Sequence, residues 1–322
     1  MWTDLNTNPR IYATPEDDAR QDVEVGDFRA RSLLMAGRDK TILEIGAGYS
    51  PLFRKAEGYN VRIVDHLPTE QLVEKYRQLG VDTSRIEQVD YVYTGQSIPE
   101  MVGGQKFDVV YASHVVEHAT DFVGFLQGSL DVLTPEGVII LLVPDKRYCF
   151  DFFQPLTDSA KVLSDHVAKA RRHSFESLYR EEMQVMAEHG GEERERFGPE
   201  PRLAWWQGAV ADIHLFRHDP QARFASVLAQ ARSSEYVDAH EYFFIPSTFQ
   251  LVVEEMNFLG VLPLRLALLT RSRGCEFMAV LTRAPLGRMS RDEFLATKKM
   301  LAVRSIKEQM EAFGRFQEDG RA

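Results

Sequence analysis

Between residues 40 and 144, short apolar runs alternate with helical stretches, and this constrains the chain more than any other feature. TILEIG ends on glycines, VRIVDH ends on an acid, RIEQVDYV is a weaker third run, FDVVYASH a fourth and GVIILLVP a fifth. TEQLVEKYRQLG and TDFVGFLQGSLDVL, both helical in pattern, lie between them. Consecutive parallel strands need a long crossover, and a helix is its usual form, so the alternation predicts βαβ units and a parallel sheet. The order then breaks. From Asp145 to about residue 241 the chain is polar and Arg-rich, is expected to be largely helical, and includes the loop-like EHGGEERERFGPEP. Apolar order returns with YFFIP and a helix over STFQLVVEEMNFLG. LPLRLALLT and CEFMAVLTR follow, joined by RSRG, and read as a β-hairpin at the far end of the sheet. Residues 290–316 read as one amphipathic helix.

The first strand runs out into Glu44-Ile45-Gly46-Ala47-Gly48-Tyr49-Ser50. Glycines there permit a tight turn and the close approach of a ligand to the strand end. The second strand ends on Asp65, where an acid can accept both hydroxyls of a ribose. The third ends at Asp90-Tyr91, placed for a further nucleoside contact. All three ends fall on the carboxyl edge of the sheet, where parallel sheets bind ligands. A dinucleotide site calls for a third glycine to bring a helix onto a pyrophosphate, and Pro51 stands there instead. Glu44, two residues before the first glycine, suits a ligand with an ammonium group.

This segment resembles the first motif of the class I S-adenosylmethionine (SAM) methyltransferases. Phe107-Asp108-Val109-Val110 is similar to the fourth strand of that family, and Val116-Glu117-His118 to the helix start after it. Leu133-Thr134-Pro135-Glu136-Gly137 is similar to the turn before its fifth strand, with Glu136 where glycine is usual. The C-terminal hairpin matches its reversed last strand. The likeness covers roughly residues 40–145 and 240–285; Ser50 departs from it, where many members carry a third glycine. A narrower likeness, through His114 to His118, Asp145-Lys146-Arg147 and the segment around His240, is to methyltransferases that occur with bacterial surface-polysaccharide enzymes.

The resemblance implies a Rossmann-like α/β fold, mostly parallel with an antiparallel C-terminal hairpin and a largely helical insertion after the fifth strand. Its expected parts are an N-terminal helical extension (1–39), a SAM-binding domain (40–145 and 241–285), an acceptor-binding insertion (146–240) and a C-terminal helix (286–322). It implies SAM as cofactor, with Glu44, Gly46 and Gly48 at the methionine part, Asp65 at the ribose, Asp90 and Tyr91 at the adenine, and Ser113 facing the methyl donor. Asp145, Lys146 and Arg147 are expected to contact the acceptor. The implied reaction is O-methylation of a sugar hydroxyl on a glycan or glycolipid precursor. Methylation of an unrelated small molecule, or a non-catalytic subunit of a polysaccharide assembly complex, remain the alternatives. A hydroxyl nucleophile profits from a base, and His114, His118 and His240 are the candidates. His173 and His214 lie in the insertion, as do Trp205 and Trp206, which suit either a lid core or a sugar platform.

His114-Val115-Val116-Glu117-His118 also matches H-x-x-E-H, a zinc pattern that places two histidines on one helix face. Here His114 closes a strand and the helix starts later, so no metal centre is expected from it; displacement at a sulfonium methyl needs no metal. Composition agrees with a soluble enzyme. Thirty-eight Lys and Arg against 48 Asp and Glu leave a net charge of −10, which argues against a protein built to hold duplex nucleic acid. The longest apolar run is far short of the ~20 residues that span a bilayer. The polar, acidic N-terminus resembles no targeting peptide, and the two cysteines, Cys149 and Cys275, show neither disulfide nor metal-ligand spacing. Together these features predict a cytoplasmic location.

Overall fold

The computed structural model describes residues 10–11, 27–185, 187–188, 202–203, 213–214, 220–233 and 236–319. In chain order the first elements are β1 (Arg10–Ile11), α1 (Phe28–Ala36), β2 (Thr41–Ile45), β3 (Asn60–Asp65), α2 (Thr69–Gln78), β4 (Tyr91–Val92) and α3 (Ile98–Val102). Then come β5 (Phe107–Ser113), α4 (Phe122–Asp131), β6 (Leu133–Pro144), α5 (Ser159–Ala168) and α6 (Phe175–Met183). Three short strands follow, β7 (Ala187–Glu188), β8 (Arg202–Leu203) and β9 (Ile213–His214), and then α7 (Pro220–Arg232). The chain ends with α8 (Pro246–Phe258), β10 (Leu264–Leu269), β11 (Glu276–Arg283) and α9 (Arg291–Asp319).

Eight strands form the main sheet in the order β1-β10-β11-β6-β5-β2-β3-β4. β11 runs antiparallel to both of its neighbours, and the remaining pairs are parallel. The expected sheet and its C-terminal hairpin are both present. β2 starts in the middle, β3 and β4 step outward from it, and β5 returns to pair on its other side. That reversal of direction leaves a crevice outside the carboxyl ends of β2 and β5, the usual ligand position in open α/β sheets.

Alternation along the strands sorts the core into two layers. Leu43, Val110, Ile139 and Leu141 pack on one face with Ile98 of α3, Leu126 of α4 and Val252 of α8. Ile42, Val109, Ile140 and Leu142 pack on the other with Phe28 and Met35 of α1. Side chains of successive strand residues point to opposite faces, so neighbouring residues serve different helices. Helix starts are fixed locally. Asp27, Asp121, Asp158 and Ser174 each accept a hydrogen bond from a backbone amide of the helix they precede. Ser97 and Glu100 form a reciprocal capping box on α3.

Several elements differ from the sequence expectation. The third strand shrinks to Tyr91–Val92, because Ile86, Val89 and Asp90 belong to a connection rather than to the ladder. Val116–His118 forms a single 3₁₀ turn, and α4 begins only at Phe122. Leu133–Gly137, expected as a turn, belongs to β6, with an irregularity in the β5–β6 register between Phe107 and Val109. The stretch after β6 contains helices as expected, and also a three-stranded antiparallel sheet, β8-β7-β9. Among the described residues, no helix is long and apolar enough to cross a membrane.

Candidate active site

The glycine turn lies open at the carboxyl edge. Strand β2 is buried from Ile42 to Ile45, whereas Gly46 is exposed and Ala47 and Gly48 are half-buried. Gly46 and Gly48 hold positive φ angles of 71° and 55°. A Cβ on Gly46 would come within 2.5 Å of Val115 Cγ2, and one on Gly48 within 3.0 Å of the Tyr76 hydroxyl. Both positions are therefore restricted to glycine by conformation and by space. Below the turn, Glu44 accepts hydrogen bonds from the amides of Leu52 (2.7 Å) and Phe53 (2.9 Å). Burial pushes the Glu44 carboxyl up to about 7, against the pull of those two amides. Glu44 thus ties the far side of the loop to the strand end. Asp65, at the end of β3, accepts from Gly48 N at 2.8 Å and from His66 N at 2.8 Å. The bond that the Gly48 amide donates to Asp65 fixes the peptide of Gly48. The open turn, its two obligatory glycines and an acid at the next strand end fit the methionine and ribose parts of SAM.

The polar side of the crevice begins at the end of β5. Ser113 pairs with Leu142 and is half-buried. His114 follows with a φ of 53°, rare for a residue with a side chain. Its Nε2 lies 2.7 Å from Glu276 Oε2 on β11, and Arg29 of α1 donates to the other Glu276 oxygen at 2.8 Å. Burial would raise the Glu276 carboxyl, but the hydrogen bond to His114 and the charge of Arg29 outweigh it and hold the group below its usual range. Val115, the next residue, touches the glycine turn.

Glu117 and His118 occupy the 3₁₀ turn. His118 Nδ1 lies 3.0 Å from Asp238 Oδ1, and its ring meets the edge of the His240 ring with centroids 4.5 Å apart. His240 Nδ1 lies 2.7 Å from Asp151 Oδ2. Burial alone would lower the His240 imidazole; the adjoining Asp151, with Glu117 and Glu181 nearby, instead raises it to about 10. Without another cation beside it, His240 is an imidazolium at neutral pH and is no base. The three histidines of the sequence reading do converge on one edge, and they differ in chemistry: only His114 pairs with a carboxylate that is itself held by an arginine.

Other expected site residues fall elsewhere. Asp90 precedes the end of β4 by two residues, and its Oδ2 accepts from Ile63 N (2.8 Å) and Lys55 Nζ (2.7 Å). This carboxylate fastens β3 to the 3₁₀ turn at Lys55–Glu57. Tyr91 donates through its hydroxyl to Gln105 at 2.9 Å. Asp145, Lys146 and Arg147, expected to line an open cleft, are all buried. Asp145 forms a two-pronged ion pair with Arg147 (2.6 Å from Arg147 NH2) and accepts from Ser272, while Arg147 NH1 donates to the Glu308 carbonyl at 3.0 Å. Lys146 Nζ donates to the Phe152 carbonyl at 2.6 Å. The cause is the following chain: the isolated bridge of Asp145 to Phe244 and helix α9 close over this strand end. His173 is spent between Glu241 (2.9 Å) and Tyr236 (3.1 Å). Trp205, Trp206 and the side chain of His214 lie outside the described residues. Sequence reasoning missed Glu276, Asp238 and Asp151. They reach the site from 162, 120 and 89 positions away from their histidine partners, and no local pattern marks them.

The family model described as a methyltransferase domain matches residues 18–231, more than half of the chain. No protein of curated function matches the sequence. Among solved structures, similarity extends to the CcbJ methyltransferase from Streptomyces caelestis, at 13% identity and a TM-score of 0.42, covering 80% of this chain and 94% of that one. It extends also to an S-adenosylmethionine-dependent methyltransferase from Clostridium acetobutylicum, at 12% identity and a TM-score of 0.37, covering 83% and 96%. A third is a putative sarcosine dimethylglycine methyltransferase from Galdieria sulphuraria, at 22% identity and a TM-score of 0.28, covering 48% and 56%.

Proposed function

We propose, from the premise that this chain belongs to the methyltransferase-domain family and is a SAM-dependent methyltransferase, that its acceptor is a sugar hydroxyl on a glycan or glycolipid precursor. The supporting observation is the chemistry of the edge beside the glycine turn. His114 and His118 are half-buried at that edge, with buried Glu117 and His240 beside them, and such a polar edge suits a polyhydroxylated acceptor better than an apolar ring. The likeness of His114 to His118 and of the His240 segment to surface-polysaccharide methyltransferases points the same way. The chain between β6 and α8 supplies Asp151, Asp238 and His240 to this edge, and in this reading it holds the acceptor. The two free cysteines accord with a reducing, cytoplasmic setting.

SAM supplies a methyl carbon made electrophilic by its sulfonium. Asp65 would hold the ribose, and the turn from Gly46 to Gly48 would give room to the methionine part. His114 takes the proton of the acceptor hydroxyl as the new O–C bond forms and the C–S bond breaks, its electron pair staying on sulfur. Glu276 keeps the His114 ring in place and stabilises the imidazolium that results, and Arg29 fixes Glu276. Alignment of oxygen, carbon and sulfur provides most of the rate.

The test is incubation of the protein with SAM and a panel of nucleotide-linked and lipid-linked sugars, read by mass spectrometry. One added methyl on a sugar, lost in His114→Ala and in Glu276→Gln but with SAM binding retained, supports the assignment. Transfer confined to acceptors without a sugar overturns it.

A further inference from the structure

Glu117 is the most unusual charged side chain of the molecule. It is fully buried, and neither carboxylate oxygen hydrogen-bonds to any described residue. An orphaned buried carboxylate carries a desolvation cost that native proteins seldom leave uncompensated. Two imidazole nitrogens lie at longer range from Oε1: His114 Nδ1 at 3.8 Å and His118 Nε2 at 3.9 Å. One ligand-type atom each from Glu117, His118 and His240 lies within 4.8 Å of the others.

The orientation of the two histidines adds an independent observation. His118 turns Nδ1 to Asp238, and His240 turns Nδ1 to Asp151. In each ring Nε2 is the nitrogen left over. A carboxylate on one imidazole nitrogen with the other aimed at a shared point is the arrangement that orients metal-binding histidines and raises their basicity. Asp151 Oδ1 is likewise buried and unpartnered, so two carboxyl groups of the cluster keep acceptor atoms that no described residue satisfies.

We infer that Glu117, His118 and His240 form a binding site for one divalent transition-metal ion of the zinc type. Two imidazoles and one carboxylate are a ligand set for zinc that leaves a fourth position open. Metal-ligand bonds of about 2.0–2.2 Å require the three side chains to draw together from their present spacing, a shift within reach of rotamer adjustment on a 3₁₀ turn and a loop. The H-x-x-E-H segment supplies Glu117 and His118 to this site, while its first histidine is turned to Glu276. The third ligand is His240, brought in by the chain's return to the sheet, so the proposed centre departs from the sequence expectation of no metal and is encoded by no continuous motif.

Glu117 Oε1 lies 3.8 Å from Nδ1 of His114, the base of the proposed reaction. A role follows that rests on the sugar-hydroxyl reading: the ion takes the acceptor oxygen as a ligand and lowers the pKa of its hydroxyl. His114 then receives the proton, the oxygen attacks the methyl carbon, and the C–S electron pair leaves with sulfur.

The experiment uses the full chain stripped with EDTA. Zn²⁺ titration by calorimetry is expected to give one site, and Co²⁺ the visible absorption of a four- or five-coordinate ion. Glu117→Gln should abolish the site, with circular dichroism confirming the fold. Asp151→Asn, which leaves all three ligands in place, should weaken Zn²⁺ by about 10–100-fold. Absence of stoichiometric Zn²⁺ and Co²⁺ binding by the stripped parent protein overturns the site. Undiminished binding by a folded Glu117→Gln variant overturns it equally. If the metal binds but stripped protein transfers methyl groups as fast as loaded protein, the catalytic role fails and the site stands. If loaded protein binds SAM and methylates no hydroxyl acceptor, the sugar reading fails while the metal stoichiometry is untouched.

Discussion

Glu44→Gln tests the link between the buried acid and the SAM edge. Glu44 is 2% exposed, and burial carries its carboxyl from 4.5 to about 7. The folded state therefore binds the proton more tightly than the unfolded state does. Protonated Glu44 favours folding below about pH 4.5, and that contribution is lost as the pH rises through about 7. At 1.36 kcal/mol for each pKa unit, the whole effect is about 3 kcal/mol. Glutamine cannot titrate, and its NH2 must face one of the two amides of Leu52 and Phe53, which costs about 1–3 kcal/mol at every pH. The assay is urea unfolding of parent and variant from pH 5 to pH 8. The parent's advantage over Glu44→Gln should shrink by roughly 1.4 kcal/mol per pH unit between about pH 5 and 7. A difference that stays constant across this range refutes the account of Glu44. A ligand ammonium over the turn favours the ionised carboxylate, so SAM binding near pH 7 should also release protons, measurable by calorimetry in buffers of different ionisation enthalpy.

Gly46→Ala should destabilise by at least about 2 kcal/mol, from the positive φ and from the 2.5 Å approach to Val115 Cγ2; adding Val115→Ala should recover the steric part, and an unchanged urea midpoint in the single variant contradicts this. Asp65→Ala should weaken SAM by roughly 10–150-fold, corresponding to about 1.5–3 kcal/mol for a hydrogen bond to a charged group, and calorimetry showing parental affinity would remove Asp65 from the site. Arg147→Met strands the buried Asp145 and should cost about 3–5 kcal/mol. The double variant Asp145→Leu with Arg147→Met should recover much of that, and a single variant as stable as the parent refutes the pairing.

The glycine turn and the acid at the next strand end were legible because they are local. Glu44, Gly46 and Gly48 belong to one turn, and Asp65 closes the next strand, so strand periodicity with glycine punctuation located them. The hairpin was legible for the same reason. β4 was misjudged in length because RIEQVDYV carries few apolar residues, and only Tyr91 and Val92 pair in register with β3. Asp145 to Arg147 read as a cleft because charged residues after a strand are usually solvated. Here the carbonyl of Glu308 on a helix 161 positions away and the return of the chain at Phe244 enclose them. The histidine cluster was half legible. His114, His118 and His240 stood out in the sequence and come together in the structure, but Glu276, Asp238 and Asp151, which pair with them, arrive through tertiary contacts.

Parallel calorimetric titration of the protein with SAM and with NAD tests the central claim most directly. The account predicts saturable one-to-one binding of SAM and none of NAD, because Pro51 stands where a pyrophosphate site needs glycine and Glu44 and Asp65 line the turn. Saturable NAD binding without SAM binding would contradict it.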